Sequence, residues 1–167
     1  FVTLSICSPS RAACLTGRYG SANGVTTLGQ EVNKQSRTFT QILKQAGYRT
    51  GLAGKWHLKN TPESLGFDFA SYFTSNGPQY NRNAIEAGRR TRTRGYVEDY
   101  NADQSIRFLT DAAKSSEPFV LFHCTQVPHM TPMMDWAPKE EMLATYDQEA
   151  MPIPESWQDD LSGKPPY

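Results

Sequence analysis

"PFVLFHC", residues 118–124, is the stretch on which the fold turns. Phe119 to Phe122 run without a polar break, between Pro118 and a proline-rich continuation. A short apolar run bounded by turn signals reads as a strand buried on both faces, the kind found in parallel sheets. Working outward, "YRTGLAGKWH" (48–57) reads as a second strand with a glycine-rich end. Residues 99–113, "DYNADQSIRFLTDAA", read as a helix with Ile106, Leu109 and Ala113 on its apolar face. "TFTQILKQAG" (38–47) gives a shorter helix, with Phe39, Ile42, Leu43 and Ala46 aligned and Gly47 closing it. At the front, "FVTLSI" (1–6) reads as the end of a strand, Ser8 as an N-cap, Pro9 as a first helical residue and Gly17 as a stop. Residues 76–95 are polar without an apolar period and read as a loop holding Arg82, Arg89, Arg90, Arg92 and Arg94. After Pro128 only "PKEEMLATY" (138–146) reads as a short helix. Strands alternating with helices predict an α/β fold, a mostly parallel sheet flanked by helices.

The 167 residues suffice for one domain with a substantial core, and 38% apolar content is ordinary for a globular chain. Seventeen basic residues balance seventeen acidic ones, which gives no electrostatic footprint for nucleic acid. No apolar stretch reaches membrane-spanning length. Cys7, Cys14 and Cys124 show no paired spacing, so neither a disulfide framework nor a zinc pattern is expected. The chain opens inside an apolar run and stops in a loop, and it reads as an internal piece of a longer protein with no domain boundary inside it.

"CSPSRAACLTGR" (7–18) puts a cysteine at the mouth of a helix, with Arg11 one turn in. Unpaired N–H groups and the helix dipole make such a mouth an anion site. Local context leaves two readings for Cys7, a low-pKa thiolate or a small residue packed at a strand end. The tyrosine-phosphatase pattern fails, because the position six residues after Cys7 is Ala13 and after Cys124 is Met130. Cys14 reads as core and Trp56 as packing. His123 reads as a satisfied sheet histidine, Arg18 as a structural tie, and the arginines at 89–94 as a solvated charge cluster that could also greet a polyanion. By themselves Lys55, His57 and His129 read as strand-end and loop residues.

Three elements together carry a resemblance. "CSPSRAACLTGR" resembles the C-x-P-S-R…L-T-G-R signature of the sulfatase family, "GYRTGLAGKWHLK" (47–59) resembles its second signature, and "VPHMTP" (127–132) resembles its proline-histidine element. The closing "DDLSGKPPY" (159–167) also looks like a family segment. The resemblance implies that residues 1–167 are part of one alkaline-phosphatase-like sulfatase catalytic domain, truncated at both ends. It implies that Cys7 is oxidised to formylglycine by a formylglycine-generating enzyme that reads Cys7, Pro9 and Arg11. In the family the hydrated aldehyde, activated by a divalent metal such as Ca2+, attacks the sulfur of a sulfate ester, and its second hydroxyl then lets the sulfate adduct go. Carried over by position, Arg11 holds the diol, Lys55 bridges the diol and a sulfate oxygen, and His57 is the base for elimination. His129 contacts the sulfate and protonates the leaving oxygen. Lys55 and His57 would share one side if the strand stays extended.

The family's acidic metal ligands and a second sulfate-binding lysine have no counterpart in this sequence, which leaves Cys7 as the one metal ligand present. Asp159 and Asp160 lie on the wrong side of both motifs. The piece alone is therefore expected to be inactive. The resemblance implies a sulfated small molecule or glycan as substrate, a carbohydrate sulfate above all, and a periplasmic, secreted or lysosomal setting. Three alternatives remain open at this point: a phosphonate monoester or phosphodiester hydrolase of the same superfamily, a non-catalytic relative without its metal site, and a thiolate enzyme that uses an unmodified Cys7.

Overall fold

A computed structural model describes residues 4–146 and 152–164. Its strands are β1 (Arg49–Lys55), β2 (Phe69–Phe73), β3 (Asn83–Glu86), β4 (Arg89–Arg92) and β5 (Phe119–Cys124), joined in one sheet in the order β4-β3-β2-β1-β5. The helices are α1 (Cys7–Thr16), α2 (Gly20–Asn23), α3 (Phe39–Gln45), α4 (Val97–Ala112) and α5 (Glu140–Tyr146). β1 runs parallel to both β2 and β5, whereas β2–β3 and β3–β4 pair antiparallel. The sheet is thus mixed, and its parallel half carries the carboxyl ends that matter below.

β1 is the most enclosed strand, buried from Thr50 to Lys55. Its glycines permit that enclosure. A Cβ on Gly51 would stand 2.8 Å from the Phe108 ring, so the missing side chain lets α4 settle directly on the strand. On the other side of the sheet Leu15, Val25, Leu52, Trp56, Leu65 and Phe67 form the core, with Trp56 and Phe67 edge to face at 5.7 Å. Each large apolar side chain so buried contributes roughly 1.5–3 kcal/mol. Thr38 starts α3 with a reciprocal capping box to Gln41, and its hydroxyl also donates to the Leu65 carbonyl at 2.7 Å.

Several expectations are corrected. Residues 83–92 are a hairpin rather than a loop, closed by Ala87 and Gly88 at φ 46° and 75°. Positive φ at both central residues suits a two-residue hairpin turn, but Ala-Gly lacks the Asn-Gly or Asp-Gly signal, and arginine-rich exposed strands show no apolar alternation. β5 is not buried on both faces: it is an edge strand, pairs only with β1 among the described residues, and leaves Phe119 47% exposed. α4 turns Val97, Asn101, Ser105, Phe108 and Ala112 inward, and Ile106 and Leu109 outward. Its polar members can be buried because they are bonded, Asn101 Nδ2 to Glu98 at 2.8 Å and Ser105 Oγ with His123 Nδ1 at 2.7 Å. Ile42 in α3 and Ala46 at its C-cap are likewise exposed. Of the strand expected over 1–6, residues 1–3 lie outside the described residues and residues 4–6 join no sheet.

From Pro138 onward the chain forms a unit of its own. It holds α5, a 3-10 turn at Glu155–Gln158 and a turn in which Asp159 pairs with Lys164. The end of "DDLSGKPPY", residues 165–167, lies outside the described residues.

Candidate active site

Cys7 is the first residue of α1, two positions earlier than the helix was expected to start, and Ile6 rather than Ser8 occupies the N-cap. Ser8 turns away from capping and donates its hydroxyl to the His57 carbonyl. Gly17 ends the helix in the left-handed conformation, as expected. Cys7 Sγ is half-buried and meets two groups from distant sequence, Lys55 Nζ at 3.4 Å and His129 Nε2 at 3.3 Å. Arg11, one turn along α1, acts electrostatically on Cys124, Lys55, His57 and His129. The five residues singled out from the sequence, Cys7, Arg11, Lys55, His57 and His129, therefore lie together.

Lys55 reaches Cys7 from the last position of β1, with only 1% of its surface exposed. Gly54 makes this possible: its φ is 105°, and a Cβ there would fall 1.9 Å from the Cys124 carbonyl oxygen. The strand does not stay extended beyond Lys55, contrary to expectation. His57 has φ 57°, a left-handed conformation costing on the order of 1 kcal/mol for a residue with a Cβ. Its neighbours hold it there. Trp56 is buried and donates its indole N–H to the Asn60 carbonyl at 2.6 Å, and Leu58 enters the core.

His129 sits in the loop after β5, at the same sheet edge. Its N–H donates to the Gln126 carbonyl at 2.9 Å, and its own carbonyl accepts from Gln79 Nε2 at 2.9 Å. Asn76, in the loop after β2, presents Nδ2 to His129 Nδ1 at 3.2 Å. With the Asn76 amide in this orientation Nδ1 accepts, which corresponds to the tautomer with the ring hydrogen on Nε2, facing Cys7. Glu98, at the start of α4, accepts the N–H groups of Gln126 and Val127, the latter at 2.9 Å, and so fixes the loop leading to His129. Arg82 lies behind, stacked 3.8 Å over the Phe73 ring, and donates to Gln126 Oε1 at 3.1 Å and the Ser75 carbonyl at 2.8 Å. Ser8, Asn76, Gln79, Arg82, Glu98 and Gln126 were missed by sequence reasoning. Their roles depend on loops meeting in space, and no short spacing announces that.

The electrostatics are those of a cationic enclosure. Burial pushes the Lys55 pKa down, helped by Arg11 and Arg82 and opposed by Cys7. Burial also lowers His57, reinforced by Lys55, Arg11 and His129, and lowers His129, reinforced by Lys55 and Arg11. Both imidazoles are thereby kept neutral where a free histidine begins to protonate. The side-chain nitrogens His57 Nδ1 and Arg11 Nε are buried without hydrogen-bond partners, so their hydrogen-bonding capacity is unspent. Among the described residues no group of three or more His, Cys, Asp or Glu side chains could hold a metal ion. Asp159 and Asp160 instead accept the Leu161 and Ser162 N–H groups at 2.8 Å each. Cys14 is exposed, so its reading as core is corrected: it faces outward from α1, away from the buried positions Ala12 and Leu15. His123 is exposed but bonded to Ser105, Trp56 is packing, and Arg18 is exposed and ties the helix end through its carbonyl, which accepts from Asn23 Nδ2 at 3.0 Å.

Known proteins resemble this chain over most of its length. The sequence model of the sulfatase family matches residues 1–155. An N-acetylglucosamine-6-O-sulfatase of Bacteroides thetaiotaomicron is 32% identical over 96% of this chain and 28% of its own length. Human N-sulphoglucosamine sulphohydrolase is 35% identical over 77% of this chain and 24% of its own. A solved structure of a protein in complex with its substrate D-glucosamine-2-N,6-O-disulfate superimposes with a TM-score of 0.84 at 32% identity, covering 98% of this chain and 32% of that one. The chain thus spans about a quarter to a third of the length of these relatives.

Proposed function

Since the chain belongs to the sulfatase family, we propose that it is one portion of the catalytic domain of a sulfuric ester hydrolase acting on a sulfated carbohydrate. The observation that carries this reading is the convergence on Cys7 of Lys55 Nζ and His129 Nε2, at 3.4 and 3.3 Å, at the start of a helix. The names of the relatives support an amino-sugar sulfate as substrate.

In this reading Cys7 is carried as formylglycine, whose hydrate offers one hydroxyl to attack sulfur and a second to release the adduct. The Cys7 thiol stands in for that oxygen. Lys55 binds the oxygen at position 7 together with a sulfate oxygen, and Arg11 supplies fixed positive charge one turn away. His57, neutral and with Nδ1 unpartnered, takes the proton of the second hydroxyl. His129, held with its hydrogen on Nε2, donates to the departing oxygen. A divalent cation, Ca2+ in this family, belongs to the same proposal. The described residues offer it no complete ligand set, so its carboxylates would come from other parts of the protein and no step above runs through it.

Peptide mass spectrometry across residues 1–18 of the full-length protein from its native host, combined with a sulfate-release assay on N-acetylglucosamine 6-sulfate, tests the proposal. An aldehyde at Cys7 and free sulfate are expected. An intact thiol with no sulfate released rejects the reading, and faster cleavage of a phosphodiester than of any sulfate ester transfers it to the sister activity.

A further inference from the structure

The hairpin that the sequence hides as a loop borders the site. A cleft of about 390 Å³ lies between the loop after β2 and the hairpin, lined by Asn76, Asn81, Arg82, Asn83 and Arg92 among others. Asn76 belongs to both places: it lines this cleft and bonds the Nδ1 of His129, whose Nε2 touches Cys7. A second hollow, of about 220 Å³, shares Thr74 and Asn83 with the first and adds Arg90. Arg90 and Arg92 are two apart on β4, so they project from the same face, opposite Ile85 and Asn83 in register. Both are exposed, neither pairs with a carboxylate among the described residues, and no acidic residue lines either hollow.

Arg82 distinguishes this place from an ordinary basic surface. The residue is buried, with 7% of its surface exposed, and Nε has no hydrogen-bond partner. A Cβ on Gly77 would stand 2.6 Å from Nη2, so the loop after β2 is shaped around the charge. Burial lowers the Arg82 pKa to about 10, which still leaves it cationic at neutral pH. A fixed buried cation and the adaptable surface cation Arg92 line one concave polar cleft, with Arg90 in the adjoining hollow and Asn76 linking the cleft to His129; this arrangement is complementary to an anion that arrives attached to the substrate.

We propose that this cleft is a second anion subsite, taking a further sulfate group of the same glycan while the scissile sulfate lies at Cys7. The substrate class is thereby a multiply sulfated oligosaccharide rather than a singly sulfated sugar, an inference that rests on the hydrolase reading for its chemistry. The arginine cluster selects the substrate.

Binding to the full-length Cys7→Ala protein tests this without turnover. By calorimetry at low salt, a tetrasaccharide bearing several sulfates should bind about tenfold or more tighter than the same tetrasaccharide bearing only the scissile sulfate. Adding Arg90→Gln and Arg92→Gln, both surface changes, should remove most of that preference, and added salt should shrink it in the parent protein. Equal binding of the two sugars at the outset, or a preference that survives both substitutions, overturns the subsite. Failure of the unmutated protein to release sulfate from either sugar defeats the hydrolase reading instead, and the binding comparison still decides whether the cleft holds a sulfate.

Discussion

Two glycines mark two ways of turning a strand. Gly54 sits near the end of β1 at φ 105°, in a place so tight that a Cβ would fall 1.9 Å from the Cys124 carbonyl oxygen. Gly88 sits at the tip of the β3–β4 hairpin at φ 75°, with nothing within 4 Å of where a Cβ would be. Both positions use the freedom of glycine, but only the first couples that freedom to packing and to chemistry. The buried turn aims Lys55 at Cys7; the exposed turn merely closes a hairpin.

The largest expected effect is Gly54→Ala, which combines left-handed strain with a backbone clash. It should cost at least about 3 kcal/mol in chemical denaturation of the full-length protein and abolish sulfate release. Lys55→Ala comes next and separates aim from fold. Removing a cation that burial disfavours should leave the melting temperature within a few degrees, while kcat/KM falls by about a hundredfold or more. A comparable loss of melting temperature would make Lys55 a structural residue instead.

Acidification gives a smaller, graded effect. The folded pKa values of His57 and His129 lie below 6.5, so the unfolded chain takes up protons first as pH drops. Their contribution to stability is complete above the unfolded value and is lost as pH falls from about 6.5 through the folded values. Urea midpoints should decline over that window, and His57→Asn should flatten the decline. Asn76→Ala should lower kcat on the singly sulfated N-acetylglucosamine 6-sulfate by about tenfold by loosening His129, with little change in KM for that sugar. Smallest of all is Gly88→Ala, expected to cost only about 1 kcal/mol and to leave turnover intact. If Gly54→Ala and Gly88→Ala cost the same, strain alone governs both turns and the packing account of Gly54 is wrong.

The same contrast explains what the sequence made legible. β1, α4 and β5 were readable because apolar residues had to be sequestered somewhere, and that need leaves a period in the chain. The inward face of α4 was misread because Asn101 and Ser105 are buried through hydrogen bonds, which have no hydropathy signature. β3 and β4 were misread because their strands are held by backbone pairing, with arginines outward, and their turn residues are Ala87 and Gly88. The five candidate site residues came from motif resemblance, and the structure brings them together. Asn76, Gln79 and Glu98, which hold His129 in position, were invisible because their partners lie 53, 50, 28 and 29 residues away along the chain.

The two contacts of Cys7 span 48 and 122 residues of chain. Loops of that size close late and at an entropic cost that local helices never meet. Lys55 reaches Cys7 from the end of β1, whereas His129 reaches it from the loop after β5, where Glu98 holds the N–H groups of Gln126 and Val127. During synthesis or refolding, a chain can therefore look largely native by secondary structure while its reactive residue still lacks one neighbour. Recovery of the Cys7–His129 contact should lag recovery of helicity, so the site itself is a clock for the last long-range step of folding.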